Sequence, residues 1–158
     1  MTTTKQQTKG FTIIEVVLVL AIAALIFLMI FIALPALQRG QRDTQRRSDV
    51  GTFVSQLSSY ATNNSGKVPA SADELTTFKN NYLKWKADNT GEFNDPKTGN
   101  GYTISYTNVA PTTEGQISYI DKYKCNGETV VADATNTRVA AVMVKLEGAG
   151  VFCKDNQQ

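Results

Sequence analysis

Hydrophobic and polar positions divide the chain sharply. Residues 16–34 (VVLVLAIAALIFLMIFIAL) form an unbroken apolar run, whereas the sequence from Gln38 onward is polar and rich in Thr and Asn. A helix of about 19 residues rises roughly 28 Å, close to the ~30 Å of a bilayer's hydrocarbon. The run is apolar on every face, so inside a soluble protein it would have to be enclosed completely. Leaving a dozen large apolar side chains in water costs on the order of 20–35 kcal/mol. A polar remainder of about 120 residues supports a modest core of its own but cannot also wrap such a helix. The run therefore belongs in lipid or among copies of itself. A cleaved secretory signal fits poorly, because its apolar region is ~7–15 residues long and ends in an A-x-A-like site. Here Ala33-Leu34-Pro35-Ala36-Leu37 offers no such site, and Arg39, Arg42, Arg46 and Arg47 follow like a stop-transfer flank.

Beyond the run the pattern turns amphipathic. Val50, Phe53, Val54, Leu57, Tyr60 and Ala61 follow the i, i+3, i+4, i+7 template of a helix with one buried face. A single helix from Phe11 to about Thr62 would be some 75 Å long. Pro35 closes the apolar run, removes one backbone hydrogen bond and is the expected position of a helix kink. The stretch 63–69 (NNSGKVP) has loop chemistry. Ser71-Ala72-Asp73-Glu74 then reads as a capping box. It opens a second, short helix that carries Leu75, Phe78, Tyr82 and Trp85 inward and runs to about Trp85. Residues 88–101 are turn-rich, and strands are expected at 102–107, 116–124, 128–132 and 138–146. Helices first and strands after imply an α+β fold, with the long N-terminal helix packed on a C-terminal antiparallel sheet.

Composition narrows the chemistry. The chain has 158 residues, 42% hydrophobic and 19% charged, with a net charge of +2, too balanced to announce a polyanion partner. It has no histidine, which removes imidazole acid/base catalysis, Ser-His-Asp and Cys-His nucleophile systems and His-ligated metals. Two cysteines cannot build a four-cysteine zinc site. No constellation of acid, base and nucleophile stands out, so no enzyme activity, catalytic residue, cofactor or metal is expected. The Arg39, Arg42, Arg46 and Arg47 cluster reads as a solvated flank facing lipid headgroups. Pairing with Asp43 or Asp49 of another subunit is the other reading. DNA contact is a weak third, since no aromatic residues interleave with the arginines.

The junction Lys9-Gly10-Phe11-Thr12-Ile13-Ile14-Glu15-Val16 carries the most specific signal. A basic polar leader ends in Gly, an aromatic residue opens the apolar run, and a carboxylate follows four residues later. An ionisable group at the start of a membrane helix is by default functional. This stretch resembles the prepilin signature of type IV pilins and their relatives. The resemblance implies that a prepilin peptidase cuts after Gly10 and that the new Phe11 α-amine is N-methylated. It also implies that Glu15 registers each incoming subunit in a helical filament of identical chains. The implied division is a leader at 1–10, a transmembrane and filament-core helix at 11–37, an amphipathic half at 38–62 and a globular head at 63–158. Orientation follows from the resemblance too. Counting Lys5 and Lys9 against the four arginines would place the C-terminal part in the cytoplasm. In the family it faces outward, first from the membrane and then on an extracellular pilus.

Cys125 and Cys153 agree with that placement, because disulfides persist outside the cytosol. Their pairing would resemble the C-terminal disulfide-bounded region of many pilins; two free thiols are the alternative, favoured by a cytosolic head. The stretch 95–102 (DPKTGNGY) is similar to a segment of type II secretion pseudopilins, some of which bind calcium, and Asp88, Glu92 and Asp95 offer oxygens. Its spacing matches no EF-hand, and a plain turn is the preferred reading. The expected function is thus a structural subunit of a type IV pilus, serving adhesion, twitching motility or DNA uptake, with the pilus assembly machinery, DNA or a host surface as partners. A type II secretion pseudopilin or minor pilin is the near alternative, and a monomeric membrane-anchored binding module the distant one.

Overall fold

The computed structural model describes residues 10–86, 88–148 and 150–157. Helix α1 spans Ile13–Asn63 and α2 spans Ala72–Tyr82. Six strands follow: β1 (Thr103–Tyr106), β2 (Gln116–Asp121), β3 (Tyr123–Asn126), β4 (Thr129–Ala132), β5 (Ala140–Lys145) and β6 (Val151–Asp155). The architecture is the expected α+β one, a long N-terminal helix and a C-terminal sheet that is mostly antiparallel. Contacts divide the chain into two units after Gln38.

The first unit is the apolar part of α1. It passes through Pro35 as helix, and none of its large apolar side chains is buried. It is long and apolar enough to cross a membrane.

The second unit holds the core. Val50, Phe53, Val54 and Leu57 of α1 pack with Leu75 and Phe78 of α2 and with Ile117, Tyr119, Val142 and Val144 of the sheet. Phe53 stacks on Tyr119 at 5.8 Å between ring centroids and meets Phe78 at 5.2 Å. The four-stranded sheet has the order β1-β2-β5-β6, and β3-β4 form a separate hairpin. Strand β5 is covered on both faces. Val142 and Val144 meet the helices, while Ala141 and Met143 join Cys153 and, at its edge, Cys125 and Val130 of the hairpin. That explains its continuous apolar sequence.

Four details depart from the sequence expectations. The β1-β2 pair is parallel, not antiparallel, with the return made by the loop 107–115. Lys122 takes a left-handed conformation (φ 58°), which ends β2 and turns the chain into the hairpin. A strand expected at 116–124 is thereby cut in two. Helix α2 stops at Tyr82 rather than Trp85. Lys84 is left-handed (φ 51°), and the Trp85 indole N–H donates instead to the Tyr102 carbonyl at 2.8 Å. Finally, β6 is an additional strand beyond those expected, set antiparallel to β5.

Candidate functional site

The N-terminal junction is built by its own few residues. Gly10 and Phe11 precede the helix and are exposed, Phe11 at 90%. Lys5, Lys9 and the rest of the expected leader lie outside the described residues. Thr12 caps the helix. The Glu15 N–H donates to Thr12 Oγ1 at 3.3 Å, and the Glu15 carboxylate accepts from the Thr12 backbone N–H and hydroxyl, both at 2.9 Å. This is a reciprocal capping box, which satisfies donors that a helix start otherwise leaves open. The expectation from sequence covers the box at Ser71 and Glu74 but not this one, although Thr-x-x-Glu is the same signal. Phe11, Glu15, Val16, Val19 and Leu20 together line one concave, mostly apolar face. Cleavage between Gly10 and Phe11 would set a new ammonium beside that face.

The arginine flank is not a free basic patch. Arg46 is fully buried, and its Nε donates to Asp95 Oδ1 at 2.7 Å. Asp43, Glu114 and Glu147 surround the same guanidinium at 3.3, 3.7 and 3.9 Å, and its Nη2 has no hydrogen-bond partner. Arg42 makes a two-pronged contact with Glu147, Nε and Nη2 each 2.7 Å from a carboxylate oxygen. Lys97 bridges Glu114 at 2.7 Å and Glu147 at 3.6 Å. The hydrogen bond from Arg42 pulls the Glu147 carboxyl down to about 2. Arg47 lies over the Phe152 ring at 4.7 Å. Arg39, 63% exposed and 4.0 Å from Glu147, and Arg47, also exposed, keep the character of a solvated flank. Asp43 pairs within the chain, accepting also from the Glu147 and Gly148 backbone N–H groups at 2.7 and 2.9 Å. Side chains 105 positions apart meet here, so no local pattern announces the pairing.

The three oxygens considered for calcium are not brought together. Asp95 is buried, bonded to Arg46 and to the N–H groups of Lys97 and Thr98. Asp88 binds Thr90, and Glu92 binds Lys84 at 2.7 Å. Among the described residues no group of three such ligands could hold a metal ion. The turn reading is the one that fits, closed by Gly99 N–H to Asp95 carbonyl at 2.8 Å.

Cys125 and Cys153 are bonded, with Cα atoms 5.8 Å apart. The bond ties the β3-β4 hairpin to β6 and so fastens the small sheet to the large one.

The family model of the prokaryotic N-terminal methylation motif matches residues 5–31, which span Gly10, Phe11, Glu15 and most of the apolar run. No curated protein and no solved structure matches the chain. The motif supports a type IV pilin-like or pseudopilin protein, a structural role, and a membrane-anchored precursor that a prepilin peptidase processes. Over its N-terminal apolar helix, the chain carries the signature of type IV pilins and prepilins.

Proposed function

We propose that the chain is a type IV pilus subunit that polymerises through its N-terminal helix into a surface filament. One observation carries the reading: the apolar half of α1 exposes its large side chains and begins just after the Gly10-Phe11 junction, with Glu15 in its first turn. Before assembly, lipid covers that half; in the filament, neighbouring helices do. Hydrolysis after residue 10 removes the leader and creates an α-amine on Phe11. A neighbour displaced along the helix axis brings its own Glu15 to that amine. The attraction is strong in a low-dielectric filament core and sets the axial register. Residues 11–37 then form the core, 38–62 the spine of the head, and 63–158 the outer surface. The role is structural, not catalytic, and the filament serves adhesion, twitching motility or DNA uptake.

Intact mass spectrometry of sheared surface filaments tests this. The expected species begins at methylated Phe11 and has Cys125 and Cys153 oxidised. Recovery of only the uncut chain, in the membrane fraction, overturns the proposal.

A further inference from the structure

Asp49 differs from every acid in the arginine cluster. It lies on the polar stripe of α1 that also carries Gln45, Thr52 and Gln56. Its carboxylate accepts from the Tyr102 hydroxyl at 2.7 Å and from Gln45 Nε2 at 2.8 Å. Both donors are neutral. Among the described residues no Lys or Arg nitrogen comes within 4.0 Å of it, whereas Asp43, Asp95, Glu114 and Glu147 each meet one. A carboxylate offers about four acceptor sites, so two remain open.

Asp49 opens on a cleft of about 310 Å³ whose walls include Tyr82, Leu83 and Phe93. Glu92 and Lys84 also line it and neutralise each other at 2.7 Å. The cleft therefore keeps one negative charge, on Asp49, beside aromatic and aliphatic surface. That combination suits an alkylammonium group: a methylene stem lies on the apolar walls and the head reaches the carboxylate.

We infer that this cleft receives a lysine side chain from a second copy of the chain. The inference rests on the filament proposed above. Lys67 and Lys145, both outside the cleft, form no ion pair among the described residues. Each copy then presents an acceptor on one surface and a donor on another. A contact of that kind is head-to-tail, and where its rotation does not close into a ring it repeats as a helical filament.

Zero-length carbodiimide coupling of sheared filaments is the test. The reagent activates a carboxylate; a lysine amine in contact with it displaces the urea by-product and leaves an amide. Wild-type filaments are expected to give a ladder of covalent dimers and higher species in denaturing gels. Peptide mass spectrometry of the dimer band should find Asp49 joined to a lysine. Asp49→Asn should reduce the ladder several-fold while the Lys84–Glu92 link within one chain persists, and Asp49→Glu should restore it. Because the wild-type peptide map stands alone, poor assembly of a variant does not blunt the test. Intact filaments in which Asp49 stays unlinked, or links only within its own chain or to an unrelated protein, overturn the cleft inference alone. Absence of any filament overturns the subunit reading and this inference with it.

Discussion

Arg46 and Asp95 form an ion pair sealed from solvent, Nε to Oδ1 at 2.7 Å, with side chains 0% and 1% exposed. Asp95 Oδ2 meanwhile holds the backbone N–H groups of Lys97 and Thr98 at 3.2 Å, so one carboxylate fixes a turn and fastens it to α1. Removing one partner of such a pair strands the other charge in a poor solvent. Arg46→Met should therefore lower the unfolding free energy by about 3–5 kcal/mol. Adding Asp95→Asn, which keeps an acceptor for the turn but no charge, should recover much of that loss. Denaturant unfolding of the full chain in detergent micelles, run as a double-mutant cycle, checks both expectations.

Glu147 gives the head a defined acid limit. The hydrogen bond from Arg42 lowers its folded-state pKa to about 2, below the usual carboxylate range. A depressed folded pKa adds stability that is fully present above the unfolded value of roughly 4.3. It is lost as pH falls through the folded value. Wild-type stability should thus decline between about pH 4.5 and 2. Glu147→Gln should be less stable at pH 7 yet show a shallower decline over that window. Unfolding midpoints measured across the pH series decide it; parallel curves for the two chains would remove Glu147 from this role.

The disulfide acts on a different element. It closes a loop of sequence separation 28 and is the covalent link between the β3-β4 hairpin and β6. Loop entropy gives it about 3–4 kcal/mol. The Cys125→Ser, Cys153→Ser double variant should lose an amount of that order. Amide exchange should rise most in 123–132, because the hairpin has few other buried contacts, and least in β5. Uniform acceleration through the whole sheet would show that the bond stabilises the head globally instead.

How far the sequence discloses these features depends on how local their causes are. The apolar run, the amphipathic Val50-to-Ala61 stripe and the Ser71 capping box each follow from residues within one or two helical turns, and each is present. Trp85 looked helical by spacing, but its indole N–H is satisfied by Tyr102 across the fold, and that contact draws it out of α2. Strand β6 is short and carries Lys154 and Asp155; its partner β5 lies across a turn that needs Gly148 close to Asp43, where an added Cβ would come within 3.0 Å of the carboxylate. The four arginines read as one patch because they are neighbours in sequence. Their fates differ because the carboxylates that claim Arg42 and Arg46 arrive from loops far along the chain.

Thr12 and Glu15 allow the two roles of the Glu15 carboxylate at this chain's own helix start to be separated. The carboxylate caps the helix through Thr12, and in the proposed filament it also meets the neighbour's Phe11 amine. Glu15→Gln retains a capping acceptor but removes the charge. Thr12→Val removes the hydroxyl and leaves the charge. All these chains, and Glu15→Ala, should still insert in the membrane, because the apolar run dominates insertion. If register depends on charge, Glu15→Gln and Glu15→Ala should both reduce sheared filament yield severely, while Thr12→Val stays near wild type. If capping is what matters, Thr12→Val should fail and Glu15→Gln should assemble. Filament yield normalised to membrane-inserted precursor distinguishes the two, and normal yield from Glu15→Ala would remove Glu15 from assembly altogether.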